Sequence, residues 1–282
     1  MTNTKWLLIT AGAIMLASCA EYNTALKYGD VEYKYEVAKT CYMQGHYTRS
    51  LELFNQLLTA TKGTGYADEC LYLTAMSAYR QGDMETAAAT FRRYYQTYPR
   101  GIYAEVSRFN TGKALYKSTP DPRLDQTQTV QAINELQAFL EMYPGSQERE
   151  QASDMLDDLN DKLIEKEQRT AQLYYDLGAY MGNAISGGSN YEACIVTAEN
   201  ALREYPYARP ARRETFLMLI LRSRYHLARQ SVEAKRVERF RQAIDDYYGF
   251  ANEFPESALM REAQTYFNKS QRALQGLPVD ED

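Results

Sequence analysis

The sequence predicts an all-α protein built from repeated helix-turn-helix units. Most segments carry apolar residues at positions i, i+3, i+4 and i+7, and the long alternating runs typical of strands are nearly absent. A second observation is a recurring helix ending, in which an aromatic residue directly precedes a proline. Because proline cannot continue a helix and disfavours the α conformation of the residue before it, each such proline predicts a helix end. These prolines are Pro99, Pro144, Pro206 and Pro255.

The spacing upstream of these prolines predicts how the helices pack. A small residue stands twelve positions before each proline, at Ala87, Ala132, Cys194 and Ala243. Mostly bulky or apolar residues stand eight and five positions before it: Phe91, Leu136, Ala198 and Tyr247, then Tyr94, Phe139, Ala201 and Phe250. Small residues at facing positions let two helices approach closely. The pattern resembles the tetratricopeptide repeat, a helix-turn-helix unit of about 34 residues, and predicts a solenoid of such units.

We predict five repeats and a C-terminal capping helix. The units span 31–62, 66–99, 102–144, 170–206 and 211–255, and the capping helix spans 257–274. An insertion at 118–129 interrupts the third unit, and residues 147–177, which contain no Gly or Pro, predict one long linking helix. The expected organisation is three N-terminal repeats over 31–146, the linking helix with the last two repeats and the cap over 147–275, and a flexible tail at 276–282.

Residues 1–18 have the features of a secretory signal peptide. A basic residue precedes an apolar run from Trp6 to Leu16, which is too short to cross a bilayer as a helix. The run is followed by "LASC", which resembles the bacterial lipobox, a motif whose cysteine is acylated. We therefore predict that acyl chains such as palmitate on Cys19 anchor the chain to a membrane through a tether at 19–30. The alternative is an ordinary signal peptide in which Cys19 is incidental.

Composition and residue spacing argue against several classes of function. A net charge of −5 and a pI near 5.3 provide no positive surface for nucleic acid. His46 and His226 stand at no metal-ligand spacing to a cysteine or to each other. Gly112 belongs to no phosphate-binding motif and is predicted to be a small helix-packing residue. Three cysteines fit small apolar core positions: Cys41, Cys70 and Cys194. We predict no metal, no cofactor and no enzymatic activity.

A ladder of aromatic residues marks the first helices of the first three units. Two series have members 37 residues apart: Tyr35, Tyr72 and Phe109, and Tyr42, Tyr79 and Tyr116. Cations stand beside them, at Lys39, Arg80, Lys113 and Lys117. The first helices line the concave side of a tetratricopeptide solenoid, so we predict a peptide-binding groove. Its rings would supply apolar contact area and its cations would bind acidic groups of an extended peptide. The alternative for each ring is packing between helices.

Three stretches resemble the BamD family, the lipoprotein subunits of the outer-membrane β-barrel assembly (BAM) machinery. They are "EYNTALKYGDVEYKYEVAKTCYMQGHY" at 21–47, "STPDPRLDQTQTVQAI" at 118–133 and "DKLIEKEQRTAQLYYDLGAY" at 161–180. The order of lipobox, five repeats and long linking helix also resembles this family, and the first stretch resembles the start of the mature protein in Bacteroidetes-type members. The sequence departs from the family at Leu177, where an arginine is usual before the glycine.

The resemblance implies a scaffold on the periplasmic face of the outer membrane rather than an enzyme. It implies that the C-terminal repeats bind a POTRA domain of the barrel-forming subunit BamA, with other BAM lipoproteins as further partners. It also implies that the N-terminal repeats receive unfolded outer-membrane β-barrel proteins, whose extended C-terminal segments end in an aromatic residue. Two other interpretations remain: a glycan-binding lipoprotein of the SusD type, and a generic periplasmic repeat adaptor.

Overall fold

The computed structural model describes residues 20–178, 180 and 189–278. Regular structure in these residues is entirely helical, as predicted. The helices are α1 (20–28), α2 (Val31–Met43), α3 (Tyr47–Ala60), α4 (Ala67–Gln81), α5 (Met84–Thr97), α6 (Ala104–Ser118), α7 (Thr127–Met142), α8 (Arg149–Leu177), α9 (Asn190–Glu204), α10 (Pro210–Arg229), α11 (Glu233–Glu253) and α12 (Met260–Leu274).

Consecutive helices pair as hairpins joined by short turns. The pairs are α2 with α3, α4 with α5, α6 with α7, and α10 with α11, while α9 packs on α10 and α12 packs on α11. This is the helix-turn-helix arrangement of a tetratricopeptide repeat protein, so the predicted fold class is confirmed. The segment predicted as a linking helix forms α8, a single helix of 29 residues. Its C-terminal part takes the place of the first helix of the fourth repeat.

The recurring aromatic–proline pair ends four helices with one backbone conformation. The aromatic residue follows the last helical residue in each case, with φ between −129° and −117° and ψ between 61° and 67°. Its N–H still donates to the carbonyl four residues earlier, and its own carbonyl accepts from the N–H three residues later. Proline thus occupies the second position of a tight turn, where its fixed φ is favourable. The four aromatic residues are Tyr98, Tyr143, Tyr205 and Phe254.

The small and bulky residues before each proline form the core between paired helices. The small residues at twelve positions before the proline are all fully buried: Ala87, Ala132, Cys194 and Ala243. The residues eight and five positions before each proline are at most 9% exposed. The cysteines Cys41, Cys70 and Cys194 are free and buried, and burial raises the pKa of the Cys70 thiol to about 11. They act as small apolar core residues, as the sequence indicated.

The chain divides into two compact units whose boundary lies within α8. The first unit runs to Pro120 and includes Asp125–Leu159; the second includes Asp121–Leu124 and continues from Asn160. The sequence placed the division earlier, between residues 146 and 147. The difference arises because the first part of α8 accepts hydrogen bonds from α6 of the first unit, through Gln151 and Asp158.

Several predicted segments lie outside the described residues. They are the signal peptide at 1–18, Cys19, most of the Gly-Ser loop of the fourth repeat, and the tail from residue 279. The segment predicted as a tether is helical over 20–28, and its Ala25 is fully buried. Within the part of the chain that is described, no helix combines the length and the apolar character that crossing a membrane requires.

Candidate functional site

The predicted binding residues lie on α2, α4 and α6, the first helices of the three N-terminal hairpins. The structure gives them two different environments. Tyr35 and Phe109 are only 3% and 2% exposed, so these two rings pack between helices. The other four rings are half-buried and present part of their surface to solvent: Tyr42, Tyr72, Tyr79 and Tyr116. The 37-residue spacing therefore identifies a row of rings in which the members differ in accessibility.

Tyr35 and Lys39 of α2 share one carboxylate on α4. The Tyr35 hydroxyl donates a hydrogen bond to Glu69, and the Lys39 Nζ lies 3.1 Å from Glu69 Oε1 and 5.0 Å from the centre of the Tyr35 ring. Burial and then the hydrogen bond to Glu69 raise the pKa of Tyr35 to about 12. Burial alone would raise the pKa of Glu69, but the hydrogen bonds from Tyr35 and Lys39 lower it. Lys39 is therefore already paired within the protein.

Two tyrosines outside the predicted groove contact rings of the ladder. Tyr103 lies parallel to Tyr72, with ring centres 4.1 Å apart and an interplanar angle of 4°, and Tyr66 contacts Tyr35 at 4.7 Å. Both precede the first residue of a first helix, α4 or α6. They are themselves 37 residues apart, so the same spacing search could have found them. Burial raises the pKa of Tyr72 to about 12.

Cations of α6 lie over rings of the same face. The Lys117 Nζ is 4.8 Å from the centre of the Tyr79 ring on α4, and the Lys113 Nζ is 5.2 Å from the centre of Phe109. Lys113 also donates to Gln151 Oε1 at 3.1 Å. The Tyr116 hydroxyl donates to Asp158 Oδ2 at 3.1 Å, and burial together with this hydrogen bond raises the pKa of Tyr116. Contacts between charges and rings thus join α4, α6 and the start of α8.

Two cations of this face pair with no carboxylate among the described residues. Arg80 and Lys117 are exposed, and among the described residues neither has an Asp or Glu oxygen within 4.0 Å. Lys117 lies over the half-buried ring of Tyr79, and Arg80 is close enough to the half-buried Tyr72 to affect its pKa. A guanidinium or ammonium beside a partly exposed ring can bind a carboxylate while the ring covers an apolar or aromatic side chain. This arrangement suits binding of another chain.

Potential metal ligands do not cluster in the described residues. Nowhere in residues 20–178, 180 and 189–278 do three or more His, Cys, Asp and Glu side chains converge as metal ligands. His226 stacks on Tyr191 with ring centres 5.2 Å apart, and His46 is exposed just before α3. The histidines are thus accounted for by packing and by exposure to solvent.

A family model of outer membrane lipoproteins, YfiO, matches residues 29–189. This match spans more than half of the chain and includes the three N-terminal hairpins, the aromatic face and α8. The chain belongs to this family. The resemblance to BamD noted in the sequence is therefore confirmed at the level of the family.

Two curated relatives carry the BamD name. A putative outer membrane protein assembly factor BamD of Aquifex aeolicus (strain VF5) is 25% identical over 176 residues, which cover 62% of this chain and 58% of the relative. The outer membrane protein assembly factor BamD of Xylella fastidiosa (strain 9a5c) is 21% identical over 200 residues, covering 65% and 66% respectively. The chain therefore aligns with about three fifths to two thirds of the length of these relatives.

One solved structure resembles the chain weakly. It is a thermophilic TPR protein of Thermus thermophilus, 15% identical, with 86% of this chain and 99% of that chain covered and a TM-score of 0.32. At that score the comparison adds nothing to the repeat assignment, which depends on the helix pairing described above.

Proposed function

We propose that the protein is a scaffold lipoprotein of the β-barrel assembly machinery, anchored to the periplasmic face of the outer membrane. It binds BamA and unfolded outer-membrane proteins and promotes their folding and insertion. Support comes from the membership of the outer membrane lipoprotein family and from the names of the two curated relatives. The repeat fold suits this role because stacked helix hairpins present long surfaces for other chains.

The anchor in this proposal is lipid on Cys19. The lipobox-like "LASC" and the preceding apolar run support it, as does the family description. A protein with two or three acyl chains stays stably at a bilayer surface, whereas a single chain gives only marginal binding. Signal peptidase cleavage would remove residues 1–18 and leave Cys19 at the N-terminus.

The substrate site in this proposal is the aromatic face. The observation that carries it is the row of half-buried rings beside two cations that pair with no carboxylate in the described part of the chain: Tyr72, Tyr79 and Tyr116 with Arg80 and Lys117. An extended segment that ends in an aromatic residue and a carboxylate presents complementary groups, a ring for the tyrosines and an anion for the cations. Because Lys39 is paired with Glu69, its charge is largely neutralised, and it contributes to this face mainly through its shape.

The BamA site in this proposal lies on the C-terminal repeats, with other BAM lipoproteins as further partners. Its support is the BamD name of the relatives and the resemblance in sequence. The last two hairpins and α12 carry a surface rich in paired arginines, including Arg213 with Glu253 and Arg222 with Glu262.

Binding of a peptide from the C-terminus of an outer-membrane barrel tests the substrate site. We expect the double variant Tyr79→Ala with Tyr116→Ala to bind it at least about tenfold more weakly, since partly desolvated tyrosines are typical binding hot spots worth more than 1 kcal/mol each. Isothermal titration measures the affinity, and circular dichroism checks that the helices are retained. The matched control is Tyr207→Ala with Tyr248→Ala, two exposed tyrosines outside this face. Unchanged affinity in the first variant, or equal loss in the control, contradicts the proposal.

A further inference from the structure

The helix α1 packs on the first repeat and does not form a free tether. Ala25 is fully buried in the core cluster that also contains Leu53 and Phe54 of α3. Tyr22 and Leu26 pack against the same cluster. Packing of this kind removes apolar side-chain surface from water, which favours the docked position of the helix. The segment 20–28 is therefore held against the protein by its own packing.

Polar contacts place the start of α1 beside the turn between α2 and α3. The Tyr22 hydroxyl donates to Glu52, and the Arg49 guanidinium carbon lies 5.3 Å from the centre of the Tyr22 ring. Both partners belong to the first two turns of α3. Burial and the hydrogen bond to Glu52 raise the pKa of Tyr22 to about 12. The N-terminal end of α1 is thereby fixed beside the first two turns of α3, which directly follow the α2–α3 turn.

A tight turn fixes the other end of α1. A Cβ on Gly29 would lie 3.0 Å from the Cα and the carbonyl oxygen of Ala25 and 3.0 Å from the Tyr33 ring, which shows how closely the chain folds back into α2. The helix is thus held at both ends and cannot swing away without exposing Ala25. The flexible connection between an anchor on Cys19 and the first repeat is therefore limited to the few bonds that precede α1.

We propose that the membrane anchor is attached without slack and holds the α2–α3 turn against the lipid surface. The inference rests on the lipidation of Cys19 proposed above. Three Cα–Cα links of about 3.8 Å put Cys19 no more than about 11 Å from Tyr22. A flexible tether made of residues 20–30 would instead span about 18 Å on average and allow the repeats to turn freely. Because α1 is docked, the acyl chains would fix the orientation of the first repeat relative to the membrane as well as its attachment.

The turn presents side chains suited to a bilayer interface. Met43 at the end of α2 is 81% exposed, and His46 is exposed just before α3. An exposed methionine can enter the boundary between headgroups and acyl chains, where burial of apolar area is favourable. Arg49, three residues after His46, lies half-buried over the Tyr22 ring and adds a positive charge next to this turn, which favours an anionic lipid surface. The surface fits a phospholipid layer.

Tryptophan fluorescence tests the inference because the chain has a single tryptophan, Trp6, inside the predicted signal peptide. The lipidated mature protein would carry none, so Met43→Trp and His46→Trp are clean reporters. In phosphatidylethanolamine–phosphatidylglycerol vesicles with lipids brominated near the headgroup, we expect both reporters to lose most of their emission and to shift to the blue. The matched control is Met142→Trp, 56% exposed at the end of α7, whose emission should be unchanged.

Inserting a ten-residue Gly-Ser segment between Cys19 and Ala20 separates anchoring from orientation. We expect the inserted variant to float with vesicles as the parent does, while the reporters at positions 43 and 46 regain their emission. Two outcomes would overturn this inference alone. In the first, the lipidated parent protein floats but its reporters are not quenched; in the second, the reporters remain quenched after the insertion. If the parent protein fails to float, or Cys19→Ser still floats, the proposed anchor itself is overturned.

Discussion

At the scale of single residues, the fold depends on a few close approaches between helices. Gly112 of α6 is the sharpest: a Cβ there would lie 2.6 Å from Leu136 Cδ2 and 2.9 Å from its Cγ. Leu136 is fully buried on α7, so it has little room to move aside. The sequence had assigned Gly112 to helix packing rather than to phosphate binding, and its contacts agree with that interpretation.

Replacing Gly112 with alanine should destabilise the protein although alanine is the better helix former. Helix propensity favours alanine by about 1 kcal/mol, but a methyl group forced into a filled core costs roughly 1–3 kcal/mol. The matched control is Gly249→Ala on α11, where no atom lies within 4 Å of the new Cβ. We expect urea denaturation to show a loss of free energy of unfolding for Gly112→Ala and a gain of about 0.5–1 kcal/mol for Gly249→Ala. Stabilisation by both changes would contradict this account.

Residue spacing predicted which rings share a face but not how deeply each ring lies. Tyr35 and Phe109 occupy equivalent repeat positions to Tyr72, yet they are buried while Tyr72 keeps an exposed part. Depth depends on neighbours from other helices, such as Phe139 beside Phe109 and Glu69 beside Tyr35. Such partners are distant in sequence, so a single repeat pattern does not reveal them.

At the scale of helices, local sequence signals predicted where helices end, whereas the formation of α1 depends on packing against other helices. The aromatic–proline pairs end α5, α7, α9 and α11 where the sequence indicated, because proline restricts the residue before it regardless of tertiary structure. The helix α1 was missed because its nine residues carry only a short apolar pattern. A segment of that length is marginal alone, and its contacts with α3 stabilise it.

A neighbouring pair of arginines on α10 tests how α8 is held in the second unit. Arg212 donates to Asp161 Oδ2 at 3.0 Å, to Glu165 Oε2 at 3.1 Å and to Gln168 Oε1 at 2.8 Å, all on α8. Arg212→Ala leaves Asp161 and Glu165 as like charges one turn apart, which is unfavourable. We expect it to lower the free energy of unfolding by about 1–2 kcal/mol.

The control for this prediction is Arg213→Ala. Arg213 forms a two-point ion pair with Glu253 of α11, at 2.7 and 3.1 Å, without reaching α8. A single surface ion pair contributes about 0–1 kcal/mol. Urea denaturation at low and high salt compares the two variants, and the Arg212 effect should shrink as salt screens the charges. Equal losses of free energy of unfolding for both substitutions would show that the contacts of Arg212 with α8 add no more stability than a single surface ion pair.

At the scale of the whole chain, the repeat order was predictable but the division into units was not. Periodicity and the four prolines define the hairpins, because both are local signals. The division within α8 depends on which helices bind its two ends: α6 at Gln151 and Asp158, and α10 at Asp161 and Glu165. A run without Gly or Pro predicts a continuous helix and says nothing about where its partners change.

Each unit should therefore respond separately to a weakened core. Phe54 belongs to a buried cluster made only of first-unit residues, and Phe216 to one made only of second-unit residues; both are fully buried. Leucine at either position removes part of a ring and costs on the order of 1–2 kcal/mol. In repeat proteins, local opening follows the stability of a repeat and its neighbours. We expect Phe54→Leu to speed amide hydrogen exchange, measured by mass spectrometry, in peptides of the first unit, and Phe216→Leu to speed it in peptides of the second unit. Faster exchange across both units in either variant would instead identify one cooperative unit joined through α8.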